Sequence, residues 1–118
     1  MVAMVEVEGT EEFETWFLEL SEKDGEAVVR VVGLLEDEGV ALGFPYCSEI
    51  KGSQALRELR IQSGGHPLRV FYAFDPVRRA VLLLGGDKTG DDRFYERFVP
   101  HAERIWAEYL AILKKGRR

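Results

Sequence analysis

With 118 residues, 46% of them hydrophobic, the chain is long enough for one domain with a two-layer core, and its apolar content excludes a disordered protein. A single cysteine, Cys47, excludes an internal disulfide framework and a cysteine-based metal site, and apolar runs no longer than that of Ala80 to Leu84 are too short to span a bilayer. The net charge of −5 hides a split: residues 1–50 carry 13 acidic and 2 basic side chains (−11), and residues 51–118 carry 8 acidic and 14 basic ones (+6).

Val2 to Glu8 alternates and is β-branched, which predicts a short strand. Glu6 and Glu8 come early and no basic segment precedes them, so the start does not read as a signal peptide and the cytoplasm is expected. Thr10 offers an N-cap, and Glu11 and Glu12 suit the positive end of a helix dipole. Phe13, Trp16, Phe17 and Leu20 then recur at helical spacing. Ser21 to Gly25 breaks the run. A second helix is expected from about Glu26, with Val28, Val31, Val32 and Leu35 inward and Gly39 as its stop. Together these helices read as a hairpin with most of the acidic charge on its outer faces.

Gly43-Phe44-Pro45-Tyr46 reads as a connecting loop. Leu56 to Ile61, Leu68 to Phe74 and Ala80 to Leu84 read as a three-stranded meander, with turns at Ser63 to Pro67 and Asp75 to Arg78. Gly85-Gly86 is expected to end it. A last helix runs from about Asp91 or Arg93 toward Leu113, with an interruption expected near Pro100 and a frayed tail over 114–118. The order β-α-α-β-β-β-α, with helices segregated from a mostly antiparallel sheet, predicts an α+β fold in one domain, residues 1–118.

Strand alternation sorts the side chains. Leu68, Val70, Tyr72 and Phe74 share the face that covers the helices, and Arg69, Phe71 and Ala73 take the other. On the preceding strand Leu59 and Ile61 point inward, so Glu58 and Arg60 point outward. Arg60 and Arg69 are therefore expected on one open face, where a phosphate backbone could dock. A basic half attracts phosphate even in an acidic chain; the competing reading is a set of solvated faces that differ in sign. Two histidines without a close carboxylate cluster predict no metal site. Gly85 to Gly90 looks like a phosphate loop but lacks the four-residue spacer of a Walker motif, and no cofactor is expected.

Several short segments, in this order and spacing, resemble the RelE/HigB family of type II toxin–antitoxin toxins, the group that includes phage Gp49-like proteins. They are Glu49-Ile50-Lys51-Gly52, Leu56-Arg57-Glu58-Leu59-Arg60, Leu68-Arg69-Val70-Phe71-Tyr72, and Leu82-Leu83-Leu84 leading into Lys88. The stretch Gly85 to Tyr95 resembles an actinobacterial or proteobacterial branch. The resemblance implies an N-terminal strand and two-helix hairpin packed on an antiparallel sheet, with a C-terminal helix. It also implies an mRNA endoribonuclease acting at the ribosome, and a cognate antitoxin, often a helix-turn-helix protein. No membrane partner is implied.

RNA cleavage without metal uses the 2′-hydroxyl against the adjacent phosphate, and needs a base, an acid and cations for the phosphoryl oxygens. By resemblance Arg69 binds the phosphate or the transition state, and Arg60 acts likewise. Lys88 steadies the leaving group, and Tyr95 stacks a base or passes a proton. His66, in the turn before Arg69, is a candidate acid–base residue. Lys51, Arg57 and Arg93 are candidate RNA contacts. The structural alternatives are an Arg69–Glu58 ion pair, a surface Arg60, a loop Lys88, a packed Tyr95 and an idle turn histidine. Two rival functions stay open: a protein-binding toxin of the gyrase-poisoning kind on the same fold, and a domesticated module that only binds its antitoxin.

Overall fold

Thr10 turns the first extended segment into a helix. Its hydroxyl accepts the Phe13 amide at 3.1 Å and donates to the Leu83 carbonyl at 2.8 Å, so the corner is capped and tied to the sheet at once. The computed structural model describes residues 4–116. The elements are β1 (Val7–Gly9), α1 (Glu11–Leu18), α2 (Glu22–Glu38), β2 (Cys47–Glu49), β3 (Arg57–Ser63), β4 (His66–Phe74), β5 (Ala80–Asp87) and α3 (Phe94–Lys115). They form one sheet of order β1-β5-β4-β3-β2, with β1 parallel to β5 and every other pair antiparallel.

The α+β order holds, and the details differ in instructive ways. The first strand is shorter than Val2 to Glu8: pairing starts at Val7, and residues 1–3 lie outside the described residues. Helix α2 begins at Glu22, four residues before the expected start, because the Ser21 hydroxyl caps the Asp24 amide and Gly25 is carried inside the helix. Only Gly64 and Gly65 make the β3–β4 turn; both have positive φ, as a two-residue hairpin requires, and His66 and Pro67 join β4. The short edge strand β2 follows directly on the expected loop and is not among the expected strands, since three residues carry too little alternation to announce it.

Two corrections, one to a strand and one to a helix, come from packing. β5 continues through Gly85 and Gly86, because a Cβ at Gly85 would run into the Trp16 ring, and one at Gly86 into Phe98 and Phe94. The glycines let helices settle onto the strand and do not stop it. Pro100 does not interrupt α3. Phe94 and Phe98 before it, and Ala102, Ile105 and Trp106 after it, pack on one core, which outweighs the ~3 kcal/mol of a mid-helix proline. The helix reaches Lys115, so the fraying expected over 114–118 does not extend to Lys114 and Lys115, and residues 117–118 lie outside the described residues.

Both faces of the sheet are covered. The hairpin α1–α2 packs Phe13, Val28, Val31 and Leu35 on Leu59, Ile61, Leu68, Val70 and Tyr72. Helix α3 packs on Leu56, Phe71, Ala73, Val81 and Leu83. The second face was expected to be open. Its own apolar residues call for a cover, and α3 supplies one. No helix among the described residues is long and apolar enough to cross a membrane.

Candidate functional site

Arg60 and Arg69 sit directly opposite each other on β3 and β4, on the α3 side of the sheet. Two like charges in that position repel. Glu58, two residues before Arg60 on the same face, resolves the conflict. Its carboxylate lies 3.3 Å from Arg60 Nη1 and 3.5 Å from Arg69 Nε. It also accepts the Tyr95 hydroxyl at 2.7 Å and the Ser48 hydroxyl at 2.8 Å. Arg69 Nε lies 3.4 Å from the Tyr95 hydroxyl, and its Nη1 donates to the Leu68 carbonyl at 3.1 Å.

The Glu58 and Arg69 side chains are only 5% and 7% exposed, whereas that of Arg60 is 33% exposed. Arg69 is therefore a buried, oriented cation and not a surface one. Burial raises the Tyr95 pKa, the bond to Glu58 raises it further, and Arg69 offsets only part of that. The phenol thus keeps its proton at neutral pH. Lys88 Nζ stands 5.7 Å from the Tyr95 ring centroid, over its face.

The cluster opens at the sheet edge. β2 covers β3 only as far as Leu59, and beyond it lies a cavity of about 360 Å³. Arg30, Phe44, Tyr46, Arg60, Gln62 and Arg69 line it. Arg30 belongs to the hairpin that reads as acidic in sequence. Only the fold shows that this one cation turns toward the other half's arginines.

Of the residues singled out in the sequence, Arg60, Arg69 and Tyr95 come together around Glu58, and Lys88 joins them only through the Tyr95 ring. His66 does not join them. It shares strand parity with Leu68 on the hairpin side, where Nδ1 lies 3.4 Å from Asp87 and 3.4 Å from the Thr89 hydroxyl. Arg57 also takes the hairpin parity, with Nη1 3.7 Å from the Cys47 sulfur, whose own partner is the Tyr72 hydroxyl at 2.9 Å. Lys51 is exposed in the turn before β3, and Arg93 is exposed at the start of α3. Sequence reasoning missed Arg30, Phe44, Tyr46 and Gln62. The adjacent aromatics Phe44 and Tyr46 in a loop were the available signal. Among the described residues no group of three His, Cys, Asp or Glu side chains is placed to hold a metal ion.

The sequence profile of the phage derived protein Gp49-like family matches residues 15–107. The chain belongs to that family. It is 36% identical over 99 residues to HigB3 of Mycobacterium tuberculosis, a protein designated a candidate toxin, covering 83% of this chain and 87% of that one. It is 35% identical over 105 residues to HigB2 of the same organism, designated likewise, covering 86% of this chain and 52% of the longer relative. The fold is similar to that of a mutant E. coli toxin RelE in the free state, with a TM-score of 0.60 over 82% of this chain and 97% of that one, at 9% identity. These relationships place the family member described here among the toxins of toxin–antitoxin systems.

Proposed function

We propose that this toxin cuts translated mRNA at the ribosome, using the cluster around Glu58, and that a cognate antitoxin holds it inactive. The observation that carries the reading is a pair of arginines that line one cavity, with a protonated tyrosine against Arg69 and a lysine over that tyrosine's ring. In this reading Arg60 and Arg69 hold the scissile phosphate and neutralise the charge that builds on its oxygens. The 2′ oxygen bonds to phosphorus, and its proton leaves to water. The bond from phosphorus to the 5′ oxygen breaks, and Tyr95 supplies the proton to that leaving oxygen. Arg69 and Lys88 steady the phenolate that results. Glu58 is a positioning residue: it keeps two mutually repelling arginines on one site.

Purified protein on programmed ribosomes, with cut ends read by primer extension, tests this. Arg60→Ala and Tyr95→Phe alter partly exposed groups and should fold as the parent does. Each should lose about 10²-fold in cleavage rate, in line with removal of a charge-assisted donor or a general acid. Full cleavage by both folded variants overturns the roles. Intact message with the parent protein overturns the nuclease reading itself.

A further inference from the structure

The loop from Gly43 to Tyr46 presents two rings to solvent with no duty in the core. Phe44 is 78% exposed and Tyr46 is 44% exposed. Exposed aromatics on a mobile loop would mean little, but this loop is tied down. The Tyr46 and Cys47 amides donate to the Gly43 carbonyl at 3.1 and 3.2 Å, and the Arg60 amide donates to the Tyr46 carbonyl at 2.8 Å. The backbone that carries the rings is thereby held at the mouth of the cavity beside β3. The Arg60 guanidinium lies over the Phe44 ring, 5.6 Å from its centroid.

The rest of the lining matches one kind of occupant. Arg30 is exposed and, among the described residues, takes part in no ion pair. Gln62 sits where β3 has run past its partner strand, so its amide can meet both donors and acceptors of a planar ligand. A cavity of about 360 Å³ is at the small end of ligand sites, fitting one nucleotide. Flat rings beside cations and one amide form a stacking platform with phosphate anchors, the chemistry that recognises unpaired bases.

We propose that Phe44, Tyr46, Arg30 and Gln62 form a subsite that stacks one unpaired RNA base next to the scissile phosphate held by Arg60 and Arg69. This rests on the nuclease reading for its position but not for its binding chemistry. Phe44 and Tyr46 act as the stacking surface, Arg30 anchors the flanking phosphate, and Gln62 reads the base edge.

The test uses a short 2′-O-methyl RNA, which cannot be cleaved, carrying 2-aminopurine along its length at one position per oligomer. Quenching of one position on binding the parent protein is expected. Phe44→Ala should weaken binding about tenfold and abolish that quenching, and Phe44→Trp should restore both. Arg30→Glu should weaken binding and leave the quenching of bound RNA in place. Melting curves matched to the parent show that these exposed sites leave the fold alone. Unchanged affinity and quenching in Phe44→Ala overturns the subsite, as does a parent that binds no RNA. Loss of antitoxin binding alone in Phe44→Ala also overturns it, by assigning the loop to a protein partner. RNA binding through Phe44 without cleavage on ribosomes would overturn the nuclease reading and leave the subsite standing.

Discussion

Helix α3 carries a tyrosine near each end, and each meets a buried carboxylate and an arginine; the two clusters differ in charge balance and in access. At one end Tyr109 donates to Asp75 at 2.9 Å, and Arg79 Nε donates to the same carboxylate at 2.9 Å. Asp75 also accepts the Val77 and Arg79 amides at 3.0 and 2.9 Å, and Glu8 takes Arg79 Nη1 at 2.9 Å. Two carboxylates thus close around one arginine, and the group pins the β4–β5 turn to α3 and β1. At the other end one carboxylate, Glu58, serves two arginines and leaves a cavity beside them. The first arrangement has spent its charge on the fold. The second holds cations in excess, the state a site needs if its missing anion is to come from outside.

The comparison can be broken at its structural end first. Asp75→Ala strands two turn amides and the Tyr109 hydroxyl, and should cost about 3 kcal/mol in urea unfolding. The folded fraction should cleave as the parent does. A large loss of cleavage per folded molecule would erase the distinction between the two ends.

Acid titration should give the next largest effect. Burial alone would raise the Asp75 pKa, but the Arg79 amide, the Tyr109 hydroxyl and the Arg79 side chain outweigh it and hold it below the ordinary carboxylate value. Its stabilising contribution is complete above the unfolded value of about 4 and disappears as the pH falls through the lower folded value. Unfolding midpoints measured between neutral pH and about pH 2 should fall for the parent, and the fall should be shallower in Asp75→Asn. Equal slopes would remove Asp75 from the acid response.

The smallest effect should come from Tyr109→Phe. Burial first, and the bond to Asp75 second, push the Tyr109 pKa up to about 12. The stability this provides is present below about pH 10 and lost as the pH rises through the folded value. The variant should cost about 1 kcal/mol at neutral pH, soften the alkaline loss and leave cleavage unchanged. Tyr95→Phe, the same chemical change against a buried carboxylate at the other end of α3, should cost a similar amount of stability but remove most of the cleavage. Matching cleavage by the two variants would show that the ends are not specialised.

Much of the scaffold was legible because it is written in local periodicity. The Phe13, Trp16, Phe17 and Leu20 stripe and the Thr10 cap predicted α1, and Leu68 to Phe74 predicted which side of β4 meets the hairpin. The same alternation sets Arg60 beside Arg69, since register partners on adjacent strands share a face. It also separates His66 from Arg69, three positions away and of opposite parity, although their closeness in sequence suggested one site.

What the chain determines by itself is therefore its elements, the sidedness of its strands and its membership of a toxin family. These depend on spacings of two to four residues and on short segments in order. Tertiary structure alone decided that α3 continues through Pro100, that the arginine face is covered and Arg69 buried, and that Glu58 meets Tyr95 across 37 positions of sequence. It also decided that Arg30, from the acidic half, reaches the cavity beside Arg60. Contacts between distant segments follow from how whole apolar faces find cover, and no local pattern encodes that closure.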